Sequence, residues 1–600
     1  MANTVNLKID GIDVSVEAGK TVLDAAKELN IHIPTLCHHE DLCVAGNCRV
    51  CVVEQEGVKN LVASCAMPAQ EGMVIHTNTH KVRNARKHVV ELLLSEHNAD
   101  CTKCYKNTKC ELQDLSSEMI ISEPMFMDLV PEKNYTIDNF SPSIIKDDSK
   151  CIRCQRCVRT CHELQHVSAL GVAYKGNEMK ISTFFENPMY DVVCTNCGQC
   201  VNRCPTGALW TQDVSDEVWE DIENPDLFVI MQTAPSPRAA IGEEFGYVPG
   251  TRVTKKLNAA IRRAGFDKVL DTNFAADLTI MEEGTELLER LHKAVVKKDK
   301  KVKLPMFTSC SPGWVKFAEH YYPQYLDHLS SCKSPQQMYG AVIKTYYADK
   351  IGVDPSKIRT VALMPCSAKK YECNRPEMSD SGFRDVDYGL TTREMAMMLK
   401  EAGLHLADMP EEEFDPVLGE GSGAGMVFGA TGGVMEAAIR TVYELVTGRP
   451  VPFDKLNVTP VRGMEGIKDA ALKLENVKKE YKWLEGVELK VAVVHGTGNA
   501  KVMMEKLVAG EIDYHFIEVM ACPGGCLGGG GQPIPTTPEI RLARAKAIYK
   551  EDEVLEIRKS HENPLITKLY KEYFGTPGSH KAHELLHTHY KKRGKYFVKD

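Results

Sequence analysis

Twenty-two cysteines in 600 residues, sixteen of them before residue 205, are the side chains here most able to do chemistry. Cys151, Cys154, Cys157 and Cys161 form one run, and the same spacing returns as Cys194, Cys197, Cys200 and Cys204, followed by Pro205. A doubled run of this kind suits two [4Fe–4S] cubes, because the fourth cysteine of each run completes the other run's cube. On that register Cys151, Cys154, Cys157 and Cys204 hold one cube. Cys194, Cys197, Cys200 and Cys161 hold the second. His162 stands where the first run would carry proline, which alters the turn and not the ligation. Zinc offers no reason for the interleaving.

The doubled run is that of bacterial two-cluster ferredoxins, and further cysteine sets precede it. His97, Cys101, Cys104 and Cys110 offer three thiolates and an imidazole, enough for tetrahedral zinc or for a cube bound through one nitrogen. Zinc is the stronger reading of that set taken alone; its place ahead of two cubes favours a third. Cys37, Cys48, Cys51 and Cys65 suit a [2Fe–2S] cluster in a plant-type ferredoxin pattern with a lengthened first gap, and Cys43 is a spare. The elements needed to position this set are legible. Val5, Leu7 and Ile9 alternate, as do Val14 and Val16 beyond Gly11, which predicts a hairpin. Residues 21–29 predict a helix with Val22, Ala25, Ala26 and Leu29 on one face.

Composition narrows the class. A disulfide scaffold would be small and secreted, whereas this chain is long and opens without a basic, apolar leader. It is expected in the cytoplasm, where thiols stay reduced and clustered cysteines bind metal. A net charge of −9 and a pI near 6.2 give no nucleic-acid footprint. No apolar run reaches the length of a membrane span. Four clusters in a row form a conduit for single electrons, so a redox centre is expected in the remaining two thirds.

From about residue 225 short apolar runs (227–231, 361–364, 491–494) alternate with helical patterns (283–298, 431–447), which predicts an α/β architecture with parallel sheets. The glycine-rich pieces 429–433 and 528–531 match neither a dinucleotide fingerprint nor a Walker loop, so no nicotinamide or flavin site is expected in this chain. Three segments carry cysteine beside strand-like runs: Thr308-Ser-Cys310-Ser-Pro-Gly-Trp314, Met364-Pro-Cys366-Ser-Ala-Lys369-Lys-Tyr-Glu372, and Glu518-Val-Met520-Ala-Cys522-Pro-Gly-Gly-Cys526-Leu-Gly-Gly-Gly-Gly. Cys522 and Cys526 form a tight loop whose thiolates can face one metal centre, and Cys366 could join them. Three unrelated buried cysteines fit the spacing equally well.

These three segments resemble the signature segments of [FeFe]-hydrogenases, and the likeness covers essentially the whole chain, nearest to the long catalytic subunits of multimeric, NAD(P)-linked enzymes. It implies a [2Fe–2S] ferredoxin-like β-grasp domain at 1–80 and a [4Fe–4S] module of one histidine and three cysteines at 81–125. A two-[4Fe–4S] ferredoxin-like domain follows at 140–215, then a catalytic domain of two α/β lobes with parallel sheets at 225–600. The family's active centre, the H-cluster, is a cube joined through one cysteine to a two-iron subsite with CO, cyanide and a dithiolate bridge. The resemblance implies Cys366, Cys522 and Cys526 as cube ligands, Cys526 also bridging to the two-iron subsite. It implies Lys369, Pro235 and Ser236 as donors to cyanide, Met364 and Met520 as pocket walls, and Gln336 beside them.

One departure stands out. The family carries Thr-Ser-Cys-Cys-Pro in its first segment, where this chain has Cys310-Ser311. By that register Cys310 is the last proton carrier and Ser311 stands at the fourth cube ligand. An alkoxide is harder and more basic than a thiolate, so a more labile cube or a lower potential is expected. The proton route implied runs from Cys310 through water to Glu283, Ser330, Glu286 and Arg290, of which Glu283, Glu286 and Arg290 share a helix face by their spacing. The implied activity is reversible interconversion of H₂ with protons and electrons. The alternative is a hydrogenase-like electron-transfer, assembly or H₂-sensing protein with an impaired or absent two-iron subsite. Ser311 favours that alternative; Lys369, Met364, Met520 and Cys310 favour the enzyme. Implied partners are flavin- and NAD(P)-binding subunits, further iron–sulfur subunits and ferredoxin.

Overall fold

Alternation at the N-terminus closes into the expected hairpin. Strand β1 (Thr4–Ile9) pairs antiparallel with β2 (Ile12–Glu17), Val5 opposite Val16 and Leu7 opposite Val14. Helix α1 (Val22–Glu28) follows, its start fixed by a capping box in which Thr21 and Asp24 bond each other's backbone. Its buried face is Val22, Leu23, Ala25 and Ala26. Strands β3 (Val52–Gln55), β4 (Val62–Ala63) and β5 (Val74–His76) complete a five-stranded sheet in the order β2-β1-β5-β3-β4. The computed structural model describes residues 4–127 and 135–594 of the chain.

The chain divides into two compact units. The first comprises Met1–Leu164, Ser168–Met189 and Arg203–Trp210; the second comprises Gln165–Val167, Tyr190–Asn202 and Thr211–Asp600. The three iron–sulfur segments expected as separate modules thus fall mostly in one unit. Within it, the Arg159 guanidinium donates to the carbonyls of Cys37 and Cys43, and Arg203 pairs with Asp41 at 2.6 Å.

In the second unit, strands β6 (Phe228–Thr233), β7 (Lys268–Asp271), β9 (Ile358–Met364) and β10 (Tyr388–Thr391) form a wholly parallel sheet in the order β7-β6-β9-β10. Its two faces are both covered. Ile230, Leu270 and Ile358 point into one core, while Val229, Met231, Val269, Val361 and Leu363 point into another. Continuous apolar strands follow from that double burial. A second sheet, ordered β8-β13-β12-β11, is built from β8 (Met306–Phe307), β11 (Ile467–Lys473), β12 (Glu488–His495) and β13 (Phe516–Met520). It is parallel except at its edge, where β11 runs antiparallel to β12. The link between those two strands carries a single 3₁₀ segment, Lys479–Leu484, and no crossover helix, so the chain returns antiparallel.

Helix α2 (Thr272–Val295) begins well before the helical pattern at 283–298. Its first turns are buried on every side, from Thr272 through Ile280, so no amphipathic period marks them. Helices α3 (Pro312–Tyr321) and α4 (Ala368–Cys373) start directly after the loops that leave β8 and β9. Helix α5 (Gly433–Thr447) lies close to the predicted 431–447. The loops after β6, β8, β9 and β13 all leave the C-terminal ends of strands in the parallel parts of the sheets, where α/β folds place their ligands.

Candidate active site

Four such loops line one cavity in the second unit. Pro235 and Ser236 come from the end of β6, Cys310 and Ser311 from the end of β8. Met364, Cys366 and Lys369 follow β9, and Met520, Cys522 and Cys526 follow β13. Gln336 and Phe428 close it. Every pocket residue expected from the sequence is therefore on one wall or another. Three glycines allow the close approaches. A Cβ at Gly429 would meet Ser236 Oγ at 2.8 Å, one at Gly529 the Pro365 carbonyl at 2.2 Å, and one at Gly530 the Cys197 carbonyl at 2.3 Å. The glycine-rich segments are thus packing devices beside the pocket.

The donor set fits a metal cluster. Burial pushes the Cys366 thiol up to about 11 and the Cys526 thiol to about 12, and it raises Cys522 further. Thiols in so apolar a cavity become thiolates when a metal's positive charge sits among them. Gln336 Oε1 is buried with no hydrogen-bond partner among the described residues, so one acceptor is left for an occupant of the pocket. Burial would depress the Lys369 ammonium, but Glu372, Cys310 and Cys366 outweigh it and hold it charged. Its Nζ lies 2.8 Å from Glu372 Oε2, which also accepts from Ser334 Oγ at 2.8 Å and Gln336 Nε2 at 3.3 Å. Glu372 is a positioning residue the sequence reading missed, although it stands one helical turn after Lys369.

Ser311 lines the cavity, and its Oγ accepts the Ala521 N–H at 3.1 Å. The Cys310 thiol is raised by burial first and then by the charge of Glu283. Outward from it, Glu283 is held up to about 8; burial does this, against a hydrogen bond with Ser330, with Glu286 and Glu518 adding to the rise. Ser330 Oγ donates to Glu286 Oε2 at 3.0 Å, and Arg290 binds Glu286 Oε1 at 2.6 Å. Arg290 also donates to the carbonyls of Asp327 and Leu329 at 3.0 and 2.8 Å. Glu283, Ser330, Glu286 and Arg290 are thus linked by hydrogen bonds, and Cys310 lies within electrostatic reach of Glu283.

Glu518 was given no role in the sequence, though a lone acid inside the apolar strand Phe516–Met520 was the signal. It is buried, held up to about 7 by that burial, and accepts the N–H groups of Gly432 and Met435 at 2.7 and 2.8 Å. It thereby ties β13 to the start of α5.

The second cysteine run packs on the pocket loop. Gln165 Nε2 donates to Cys197 Sγ at 3.3 Å and to the Ala521 carbonyl at 3.0 Å. Gln199 and Asn202 donate to the carbonyls of Gly528 and Gly529 at 2.8 and 3.1 Å, and Ser367 Oγ to that of Asn196 at 2.8 Å. Cys194 and Cys200 are buried in the same unit. Cys161, assigned to the same cube, lies in the first unit, where its Sγ accepts the Ala169 N–H at 3.2 Å.

In the first unit, Cys151, Cys154, Cys157 and Cys204 line one cavity with Leu170, Ile181 and Pro205. Another is lined by His97, Cys101 and Cys110, and the Cys104 sulfur occupies the space where a Cβ at Gly207 would fall, 2.4 Å away. Burial lowers the His97 imidazole, and its Nδ1 has no partner among the described residues. A neutral, unpartnered ring nitrogen is what a metal ligand requires. Cys51 and Cys65 have their sulfurs 3.3 Å apart, and hydrogen bonds from the Cys48 and Cys65 thiols hold Cys37 low. Cys43 stands outside that group, exposed and 2.8 Å from Glu163 Oε1.

A cysteine-lined cavity at the ends of parallel strands, with Lys369 among its walls, suits a metal cluster, and the chain belongs to the iron-only hydrogenase family. Residues 227–530 match the family described as iron only hydrogenase large subunit, C-terminal domain, and residues 538–593 match iron hydrogenase small subunit. Ahead of them, residues 2–80 match a 2Fe-2S iron-sulfur cluster binding domain. Residues 86–124 match the NADH-ubiquinone oxidoreductase-G iron-sulfur binding region, and 141–210 the ferredoxin-like domain of NADH-quinone oxidoreductase subunit 3.

Among individual proteins, the chain is 50% identical to the NADP-reducing hydrogenase subunit HndD of Solidesulfovibrio fructosivorans, over 98% of this chain and 99% of that one. It is 40% identical to iron hydrogenase 1 of Clostridium pasteurianum, over 97% and 99%. Its structure is similar to that of an [FeFe]-hydrogenase from Chlamydomonas reinhardtii, with a TM-score of 0.57 and 44% identity over 63% of this chain and 99% of that one. The protein is an H₂ oxidoreductase, with [2Fe–2S] and [4Fe–4S] ferredoxin-like modules ahead of its catalytic domain. Among the described residues no helix is long and apolar enough to cross a membrane.

Proposed function

We propose that this chain is the catalytic subunit of a multimeric, NADP-linked hydrogenase, with electrons exchanged through one [2Fe–2S] and three [4Fe–4S] clusters. Cys366, Cys522 and Cys526 would hold the cube of an H-cluster, with Ser311 at the fourth position and Cys526 shared with the two-iron subsite. Bound there, the H-cluster supplies the metal chemistry that interconverts H₂ with protons and electrons. The observation that carries the reading is the meeting, in one cavity, of three cysteines and Lys369 with the inner end of the Cys310–Glu283–Ser330–Glu286–Arg290 succession.

The chain's own residues divide the work. Met364, Met520 and Phe428 make the pocket apolar and exclude water. Lys369, fixed by Glu372, offers a cation to anionic ligands, and Ser236 and Gln336 add polar atoms. Protons move between solvent and Cys310. The Ser330 hydroxyl can accept and donate at once, and Glu283 holds its proton up to about pH 8, so both can pass one inward and receive one back. Electrons leave the pocket across Cys522 and Ala521 toward Cys197, the contact bridged by Gln165.

No nucleotide-binding motif occurs in the sequence, so flavin- and NADP-binding subunits would complete the complex, with ferredoxin as a further electron partner. The end-to-end likeness to an NADP-reducing hydrogenase subunit supports that assembly. The test uses the matured protein alone and with its partner subunits. Alone it should reduce methyl viologen with H₂; with partners it should reduce NADP⁺. Viologen reduction without NADP⁺ reduction in the assembled complex would remove the NADP-linked part.

A further inference from the structure

We infer that Glu286, Cys332 and His587 form a binding site for a divalent transition metal, zinc by its ligand chemistry, lying across the outer half of the proton route. Each residue offers one ligand atom, and the three atoms lie within 4.8 Å of one another. They come from three separate segments: helix α2, the stretch following β8, and the segment just after Leu586. An isolated antiparallel bridge pairs Cys332 with His587, so backbone hydrogen bonding fixes two of the three. Cys332 is 1% exposed and His587 7%. The Cys332 sulfur faces Glu286 Oε2 at 3.7 Å. Thiolate, imidazole and carboxylate are the zinc donor set, and three protein ligands leave a fourth position for water. The sulfur argues against magnesium and calcium, which take oxygen.

A second observation points the same way. The two ring nitrogens of His587 have different partners: Nε2 lies 3.2 Å from Glu282 Oε2, and Nδ1 lies 2.8 Å from Ser331 Oγ. With Nε2–H donating to Glu282, Nδ1 carries the lone pair and accepts the Ser331 hydroxyl. A metal bound through Nδ1 would take that lone pair in place of the Ser331 hydroxyl and leave Glu282 on the far nitrogen. Glu282 is itself fixed, by the Tyr570 hydroxyl and by the Gly578 N–H at 2.9 Å. A carboxylate holding the far nitrogen of a histidine is the usual support of a zinc-bound imidazole. Glu282 has no part in the proton succession described above.

Glu286 accepts from both Ser330 and Arg290, so a metal on its carboxylate interrupts proton exchange between them. Zinc is therefore a reversible inhibitor of turnover. That consequence rests on the proton-route reading; the binding does not.

The test uses the matured holoenzyme in a Cys43→Ser background, which removes the exposed thiol. Free Zn²⁺ is set with a chelator buffer. Bound zinc, iron per chain and dye-linked H₂ evolution are measured at each level. The parent should bind one saturable zinc without losing iron, and activity should fall with the same midpoint. Cys332→Ala, and the near-isosteric Cys332→Ser, should abolish that zinc while keeping zinc-free activity within about two-fold. Glu282→Gln should keep the site but weaken it by about 10–100-fold. Absence of a saturable zinc, or equal binding in parent and Cys332 variants, overturns the site. Zinc that binds and depends on Cys332 but leaves activity untouched supports the site and refutes the proton route.

Discussion

Replacing Glu283 by glutamine should slow turnover and stabilise the protein at once. The Glu283 carboxyl is held up to about 8 in the folded chain by its burial, against an ordinary value of 4.5. Between those values the unfolded chain ionises the group while the folded chain keeps it protonated. The folded state then binds more protons than the unfolded one, so stability falls as pH rises. The contribution is fully present below pH 4.5 and lost above about pH 8. Its slope is about 1.4 kcal/mol per pH unit, about 5 kcal/mol over the whole window. Glutamine keeps the size and the partner for Ser330 but has no proton to titrate, so the variant escapes the loss. Its advantage over the parent in thermal unfolding should widen by about 1 kcal/mol per unit from pH 6 to pH 8, the slope easing as the folded carboxyl itself begins to ionise. Dye-linked H₂ evolution should meanwhile fall by at least ~100-fold, the lower end for losing a positioned acid–base group. Unchanged turnover would remove Glu283 from the proton route. A stability gap independent of pH would show that the folded chain ionises Glu283 and that burial does not govern it.

Cys310→Ser should cut turnover by at least ~100-fold while leaving the infrared bands of the cluster in place, and Cys310→Asp should recover part of the loss; disappearance of those bands would make Cys310 a ligand. Ser311→Cys should raise iron retention during repeated desalting, since thiolate is the softer ligand. A loss of iron there would mean that the Ser311 Oγ bond to the Ala521 N–H matters more than the ligand. Cys65→Ser should remove the [2Fe–2S] signal from electron paramagnetic resonance and impair NADP⁺ reduction in the complex, with viologen activity spared. Equal loss of both activities would move electron entry to another cluster.

The doubled cysteine run was legible because three of the four cysteines assigned to each cube lie within a few residues of one another, whereas the N-terminal set is spread from Cys37 to Cys65. The pocket was not legible from spacing. Cys310, Cys366 and Cys522 are brought together only by the order of the parallel strands, which adjacent positions in the sequence do not reveal; the family likeness named those residues. The start of α2 was hidden for the opposite reason to a surface helix, since a segment buried on all sides has no polar face to set a period. Glu372 and Glu518 stand at the ends of two of the cysteine-bearing segments but were given no role, because nothing in the spacing says what a lone acid there accepts from. Each reveals itself through what it accepts: Lys369 and Gln336 for one, the backbone of Gly432 and Met435 for the other. The glycine-rich segments, read as failed nucleotide motifs, let Ser236, Pro365 and Cys197 approach the pocket loop. Residues 538–593, absorbed into the catalytic domain by the sequence reading, match the small subunit of iron hydrogenases and bring a buried histidine to the proton route.

The central claim is that the cavity of Cys366, Cys522 and Cys526 carries a two-iron subsite. Infrared spectroscopy of the purified, matured protein under H₂ tests it most directly, because CO and cyanide absorb where protein does not. The account predicts CO and CN stretches that are retained in Cys310→Ser and lost in Cys526→Ala. A protein with its relay clusters filled and no CO or CN band would contradict it, leaving an electron-transfer protein built on the hydrogenase fold.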